Sequence, residues 1–238
     1  MKPLAIDLFC GLGGWTEGLL SAGYTVVGFD NERHAYGEAK YPAQLVIQDV
    51  LTLHGRQFKD AALIVASPPC QAYSYRAMPW KRAKALPPPS NELFDACFRI
   101  QREASEAAGH HIPLVVENVC GAQKWVGRAR WHYGSFYLWG DVPALMPITI
   151  MRAKRPGHDW NRFKETGEVS PHWRTNGEDS VREYPQFAKA TRGHGQNPDG
   201  RKQKGKVGSQ STARKAASAH IAKIPYALAR HIAESWNP

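Results

Sequence analysis

Cysteine is scarce in this chain: Cys10, Cys70, Cys97 and Cys120 are the only four in 238 residues, and they form no CxxC pair and no short spacing with histidine. That pattern argues against a structural zinc site and against a disulfide framework, so no metal is expected and the thiols read as reduced, as in a cytoplasmic protein. No apolar run reaches the length of a membrane span, so no membrane partner is expected. The first residues, Met1-Lys2-Pro3-Leu4-Ala5-Ile6-Asp7, place an acid where an export signal needs an apolar core. No internal repeat is present. Acid is in deficit, with 21 acidic against 31 basic residues, a formal charge of +10 and a pI near 9.5. Such an imbalance favours a polyanionic partner, usually nucleic acid, over a basic protein with no such partner.

What remains is an ordinary globular composition, 42% hydrophobic, on a length that suits one domain with an appendage or two small domains. Leu4 to Phe9 reads as a first buried strand, Cys10-Gly11-Leu12-Gly13-Gly14 as a glycine-rich turn, and Trp15 to Ala22 as a helix with Gly23 at its C′ position. Tyr24 to Phe29 reads as a second strand that ends at Asp30. Strand, crossover helix and strand make a parallel pair. Glycines let a backbone approach a ligand closely, the turn opens on a helix N-terminus, and an acid at the second strand's tip suits ribose hydroxyls. A nucleoside-containing cofactor fits. A dinucleotide fingerprint counted from Gly11 would need a glycine where Thr16 stands.

Further strands are predicted over Leu45 to Ile47, Ala61 to Ala66, Pro113 to Val116 and Phe136 to Trp139, with helices over Asn31 to Lys40 and Asn91 to Ala108. The fold class is therefore α/β: a Rossmann-like open sheet of mostly parallel strands with helices on both faces, plus a small irregular basic region. Chemistry-bearing residues collect at the predicted strand ends. Asp49 follows the third strand, either to accept from an adenine amino group or as a plain capping acid. Ser67-Pro68-Pro69-Cys70-Gln71 follows the fourth, where two prolines stop the strand and fix a thiol in place. A buried free cysteine is the plainer reading of Cys70. Glu117-Asn118-Val119 closes the fifth, where Glu117 either meets a ligand or holds a loop amide.

The segment from Tyr73 to Pro89 is too long and proline-rich for a tight turn and mixes bases with aromatics. It reads as a nucleic-acid-contacting loop or as a surface linker. Three regions result: a catalytic and cofactor-binding domain over 1–150, a small basic, recognition-like region over 151–217, and a helical C-terminal segment over 218–238 packing back on the first. No feature fixes an oligomeric state, and a monomer is compatible with the sequence.

Asp7-Leu8-Phe9-Cys10-Gly11-Leu12-Gly13-Gly14, Asp30, Asp49, Pro68-Pro69-Cys70-Gln71 and Glu117-Asn118-Val119, in that order, resemble the cytosine-5 DNA methyltransferases. The resemblance covers residues 4 to 120 well and 218 to 233 weakly. It implies S-adenosylmethionine as cofactor, held by Asp7, Phe9, Gly11, Leu12, Gly13, Asp30, Asn31, Asp49, Val50 and Pro69, with Glu32 as an alternative acid for the ribose. It implies double-stranded DNA as partner, with Gln71, Ser74, Arg76, Lys81, Arg82 and Lys84 as contacts, and a role in DNA methylation of the restriction–modification kind.

The resemblance further implies a nucleophilic Cys70 that attacks C6 of a flipped-out cytosine, and Glu117 on the ring at N3 and the exocyclic amine. A site that favours the thiolate is expected. Arg128 and Arg130 match the family's pair of arginines, though Val126 stands where a glutamine is usual. The closing segment keeps Ile224-Pro225 without the usual asparagine, and 151–216 is short for a target-recognition domain. RNA cytosine methylation, a DNA-binding protein on the same fold with little turnover, and an NAD-dependent oxidoreductase are the alternatives.

Overall fold

The computed structural model describes residues 2–36, 39–73, 87–146, 219 and 222–238. In chain order its elements are β1 (Leu4–Leu8), α1 (Gly14–Ser21), β2 (Thr25–Asp30), β3 (Ala35–Tyr36), β4 (Ala39–Lys40), β5 (Gln44–Ile47), β6 (Ala61–Ala66), α2 (Glu92–Ala108), β7 (Leu114–Asn118), α3 (Gln123–Val126), β8 (Trp131–Tyr133), β9 (Phe136–Gly140) and α4 (Tyr226–Ser235). Short 3-10 turns cover Val50–Thr52, Gly55–Phe58 and Cys120–Ala122.

Seven strands form one open sheet in the order β5-β2-β1-β6-β7-β9-β8. The first five run parallel, and β9 and β8 continue the sheet antiparallel. This is the Rossmann-like architecture expected. Alternate side chains of the central strands feed two cores, because successive residues of a strand point to opposite faces. Ile6, Leu8, Ile64, Ala66, Leu114 and Val116 pack with Phe94, Cys97 and Ile100 of α2. Ala5, Leu63, Val65 and Val115 pack with Trp15 and Leu19 of α1 and with Leu228 and Ile232 of α4. The helices thus lie on both faces. Residues of the central strands β1 and β6, such as Ala5, Leu8, Leu63 and Ile64, are 0% exposed, which is why those runs are apolar apart from Asp7.

α1 and α4 approach closely. A Cβ added at Gly18 would lie 2.4 Å from the backbone of Ala229 and Arg230. The Tyr24 hydroxyl donates to the carbonyl of Ala233 at 3.2 Å, tying the start of β2 to the end of α4. The chain divides into two compact units, Met1–Ile148 with Lys223–Pro238, and Thr149–Ala222. The basic region 151–217 lies outside the described residues. Among the described residues no helix is long and apolar enough to cross a membrane.

Two expectations are corrected. The stretch Asn31 to Lys40 does not form a helix; Ala35–Tyr36 pairs antiparallel with Ala39–Lys40 instead. Its apolar residues, Ala35, Tyr36 and Ala39, have helical spacing but are too few to bury a helix face, Gly37 weakens a helix, and Pro42 follows. The C-terminal segment is not one continuous helix: Ala219 and Ala222 are helical, the helix breaks over 223–225, and α4 starts at Tyr226 with Pro225 at its N-cap in an extended conformation (φ −59°, ψ 133°). The short strand β8 was not foreseen; its three residues carry no alternation to read.

Candidate active site

Parallel strands in near register bring their carboxyl ends to one edge of the sheet. Leu8 pairs with Phe29 on one side and with Ala66 on the other, so the tips of β1, β2 and β6 stand level. The glycine turn, Asp30, Asp49, Cys70 and Glu117 all follow or close strands that end at this edge.

On the β1–β2 side the turn is fastened by its own backbone. Cys10 N–H donates to the carbonyl of Phe29 at 3.1 Å, and Gly13 N–H to the carbonyl of Cys10 at 2.7 Å. Phe9 has φ +57° and is the one non-glycine residue with positive φ among the described residues. A bulky residue held there marks a constrained turn. Gly11 and Gly13 also have positive φ, 50° and 79°, but face different surroundings. A Cβ at Gly11 would meet nothing within 4 Å, whereas one at Gly13 would lie 2.5 Å from Pro42 Cδ. Gly11 therefore borders open space, and Gly13 is needed for internal packing. Leu12 is buried. The helix that follows has no side-chain cap at Gly13, so its first-turn N–H groups are not claimed by one.

Asp30 is buried and accepts from Gly11 N–H at Oδ2, 2.9 Å. Its Oδ1 lies 3.5 Å from His34 Nε2. Burial pushes its pKa up, but the bond from His34 and the Gly11 amide outweigh burial and hold the carboxyl below its ordinary value. His34 is raised in turn, by Asp30 first. Asn31 and Glu32 beside it are exposed. Asp49 is exposed and its Oδ1 accepts from Leu51 N–H at 2.9 Å, so it caps the turn that starts at the buried Val50. The capping role is thus observed for one oxygen.

Asp7 is fully buried, its Oδ2 accepts from the Thr16 hydroxyl at 2.6 Å, and its Oδ1 has no partner. Burial lifts its pKa to about 7, with Thr16 pulling the other way.

On the β6–β7 side the Pro-Pro-Cys loop is held from both neighbours. Ser67 N–H donates to the carbonyl of Leu8 at 3.1 Å, and the Ser67 hydroxyl accepts from the Trp15 indole N–H at 3.0 Å. The Pro68 carbonyl accepts from Asn118 Nδ2 at 2.9 Å, while Asn118 Oδ1 accepts from Val119 N–H at 2.8 Å. Tyr73 N–H returns to the Cys70 carbonyl at 3.0 Å and closes the turn. Pro69 and Gln71 are exposed and Cys70 is half-buried.

Glu117 is buried, and burial raises its pKa to about 8 against the pull of the Ser67 hydroxyl. Burial also pushes the Cys70 thiol up, and the Glu117 carboxylate adds to that push. The expected thiolate-favouring site is therefore not what the structure holds: the environment keeps the thiol protonated, and ionised Glu117 opposes its ionisation.

Sequence reasoning missed the supports of this site. Tyr73 O–H donates to Asn91 Oδ1 at 3.0 Å, and Asn91 Nδ2 donates to the carbonyl of Trp125 at 3.0 Å, joining Tyr73 through the N-cap of α2 to α3. Ser67, Trp15 and Thr16 were likewise unassigned; no spacing signal marks a hydroxyl or an indole for such a bond. Arg128 and Arg130 are exposed, and among the described residues neither side chain forms a bond; Arg130 N–H donates to the carbonyl of Leu138 at 2.9 Å. Ser74, Arg76, Lys81, Arg82 and Lys84 lie outside the described residues. Among the described residues no cluster of three metal-ligating side chains occurs.

The family model for C-5 cytosine-specific DNA methylase matches residues 4–124. No curated protein matches the chain. Among solved structures, a protein assigned as a DNA modification methyltransferase encoded within a prophage (E. coli) is 25% identical over 52% of this chain and 34% of its own, with a TM-score of 0.38. The S. pombe Dnmt2 methyltransferase is 18% identical over 52% of this chain and 36% of its own, TM-score 0.35. The Entamoeba histolytica methyltransferase EhMeth is 17% identical over 52% and 40%, TM-score 0.35. The matched part spans little more than a third of the length of these proteins.

Proposed function

Since the chain belongs to the C-5 cytosine-specific DNA methylases, we propose that it methylates C5 of cytosine in double-stranded DNA, with S-adenosylmethionine as donor, Cys70 as nucleophile and Glu117 as the acid that holds the base. The supporting observation is the pairing of Cys70 and Glu117 at adjacent strand tips. Their loops are tied by the Asn118–Pro68 bond of 2.9 Å, and the two side chains are near enough that an ionised Glu117 pushes the Cys70 thiol up.

The residues of the β1–β2 edge fit the donor. Gly11 borders open space, Asp30 offers a carboxylate held ionised, and the uncapped start of α1 offers amide N–H groups. Phe9, Leu12, Gly13, Asn31, Asp49, Val50 and Pro69 complete the proposed set, with Asp7 beneath the turn. When bound, S-adenosylmethionine supplies an electrophilic methyl group on a sulfonium to a C5 made nucleophilic by the enzyme.

The chain's own residues create that nucleophile. C5 of cytosine is a weak one, and addition of a soft thiolate at C6 turns C5–C4–N3 into an electron-rich system. The Cys70 thiol gives its proton to solvent, the Sγ–C6 bond forms as the C5–C6 double bond opens, and the electron pair moves toward N3. Glu117, with a pKa near 8, carries a proton at neutral pH and donates it to N3 while its other oxygen accepts from the exocyclic amine. A neutral Glu117 also spares Cys70 a neighbouring negative charge during ionisation. After C5 is methylated, C5 loses its proton to solvent, the Sγ–C6 bond breaks, the thiolate leaves and N3 returns its proton to Glu117. A thiol suits both steps, being a good nucleophile and a good leaving group.

Arg128, Arg130, Gln71, Ser74, Arg76, Lys81, Arg82 and Lys84 are proposed as contacts to the nucleic acid, in keeping with the charge of +10.

Methyl transfer from labelled S-adenosylmethionine to duplex DNA, to tRNA and to neither tests the reading beside Cys70→Ala. Label in duplex DNA that vanishes in the variant is expected. Label only in tRNA would replace the substrate with RNA, and DNA binding without label would leave a binding protein. DNA with 5-fluorocytosine traps Cys70 covalently if the addition step is right, because fluorine cannot leave C5 as a proton does.

A further inference from the structure

Thr16 stands where a dinucleotide-binding turn would carry its third glycine, and its hydroxyl sits between two buried partners. It donates to Asp7 Oδ2 at 2.6 Å and lies 2.6 Å from the Tyr41 hydroxyl. Thr16 has one hydroxyl proton and gives it to Asp7, so Tyr41 is the donor of the second bond. The relay runs Tyr41 to Thr16 to Asp7, all three buried.

Tyr41 and Pro42 come from the connection between β4 and β5, far from the turn in sequence, and two glycines make room for them. A Cβ at Gly28, on β2, would lie 2.3 Å from Tyr41 Oη and Cζ and 2.8 Å from Cys10 Sγ. A Cβ at Gly13 would lie 2.5 Å from Pro42 Cδ and 3.1 Å from Tyr41 Cδ2. Tyr41 therefore packs against β2 and the glycine turn together, whereas a Cβ at Gly11 would meet nothing within 4 Å.

We propose that Tyr41 is a positioning residue for the methyl donor: through Thr16 it fixes Asp7 beneath the turn Phe9 to Gly14, and with Pro42 against Gly13 it holds that turn in the shape that presents Gly11 and Asp30. The proposal rests on the reading of this edge as the S-adenosylmethionine site. A turn held ready binds its ligand without the cost of ordering it, and loss of the hold appears as weaker binding with little effect on later chemistry. Loss of the Tyr41 proton leaves a buried acceptor on Thr16 unpaired.

Calorimetry of S-adenosylmethionine binding to the full chain, without nucleic acid, tests it with Tyr41→Phe, Thr16→Val, Thr16→Ser and the Tyr41→Phe/Thr16→Val double variant. Tyr41→Phe and Thr16→Val are expected to raise Kd roughly tenfold, the scale of one net hydrogen bond. Thr16→Ser keeps the relay and stays within about twofold of the parent. The double variant is no weaker than the worse single one, because one relay is broken once. Tyr41→Phe binding like the parent, or additive losses in the double variant, would overturn the proposal. So would a loss of affinity that merely follows a lowered melting temperature of the unliganded variants. A parent chain that binds no S-adenosylmethionine overturns this proposal together with the reading it rests on; normal parent binding with an unaffected Tyr41→Phe overturns this one alone.

Discussion

Asn118 Nδ2 donates to the carbonyl oxygen of Pro68 at 2.9 Å, and both groups are buried. The bond joins the residue after Glu117 to the residue two before Cys70, across the tips of β7 and β6. Proline lacks an N–H, so the loop's hold on the sheet at this point falls to a carbonyl. Asn118→Ala leaves that carbonyl without a partner and should cost about 1–3 kcal/mol of stability. It should also lower methyl transfer at saturating donor by tenfold or more, while S-adenosylmethionine affinity stays within about twofold, since Asp30 and Gly11 are untouched. Turnover and calorimetry on one preparation separate the two effects.

Glu117 makes stability depend on pH in a defined direction. Its folded pKa of about 8 is raised from an ordinary 4.5 by burial. Between those values the unfolded chain has lost the proton and the folded chain keeps it. Stability therefore falls as pH rises through this window, by up to about 1.4 kcal/mol per pH unit, and levels above it. Asp7, raised from 3.8 to about 7, adds a fall of the same sign that ends near pH 7. Glu117→Gln should melt higher than the parent at pH 8, with the gap opening between pH 5 and 8 and constant beyond. It should retain the fall due to Asp7 below pH 7. Melting curves at unit steps of pH check both.

Cys70 should be slow to alkylate. Burial and the Glu117 carboxylate both raise its thiol, so the rate with iodoacetamide should remain low through neutral pH and climb only in alkaline solution. Glu117→Gln removes the charge and should increase the rate above pH 8, where Glu117 is otherwise ionised, with little change at pH 6. Peptide mass mapping distinguishes Cys70 from the exposed Cys120; Cys10 and Cys97 are buried. An equal rate for both proteins at pH 9 would contradict the electrostatic coupling of the pair.

The parallel sheet was legible because its strands are short apolar runs between turn signals. Leu4–Leu8, Ala61–Ala66 and Leu114–Asn118 owe that character to burial on both faces. The strand-end acids were legible for the same reason: an Asp or Glu that terminates such a run stands out. The supports of those acids were not. Trp15 to Ser67, Thr16 to Asp7 and Tyr73 to Asn91 are single bonds between residues 52, 9 and 18 positions apart, and a lone hydroxyl or indole has no periodic signature. Nor could the pattern show that Gly11 borders open space while Gly13 and Gly28 serve internal packing, because the last two depend on where Tyr41 and Pro42 arrive. The hairpin β3–β4 was mistaken for a helix because helix-compatible residues outnumbered the apolar ones that would have fixed a face.

Gly18 sets how closely α1 meets α4, and a methyl group there should be poorly tolerated. An added Cβ would lie 2.4 Å from Ala229 C and Arg230 N and 2.5 Å from Ala229 Cβ. Two of these are backbone atoms, so no flexible side chain can swing aside. Alanine in a helix would otherwise gain about 1 kcal/mol over glycine, but forcing the helices apart costs about 1–3 kcal/mol or more in a packed core. Gly18→Ala should therefore be net destabilising in denaturant titration. Gly109→Ala, at a left-handed helix end (φ 75°) where a Cβ meets nothing within 4 Å, should cost only the backbone strain, on the order of 1 kcal/mol. The first turn of α1 carries Trp15 and Thr16, so displacing the helix also strains the bonds to Ser67 and Asp7. Gly18→Ala should consequently weaken S-adenosylmethionine binding at temperatures where the variant is still folded, whereas Gly109→Ala should leave it unchanged.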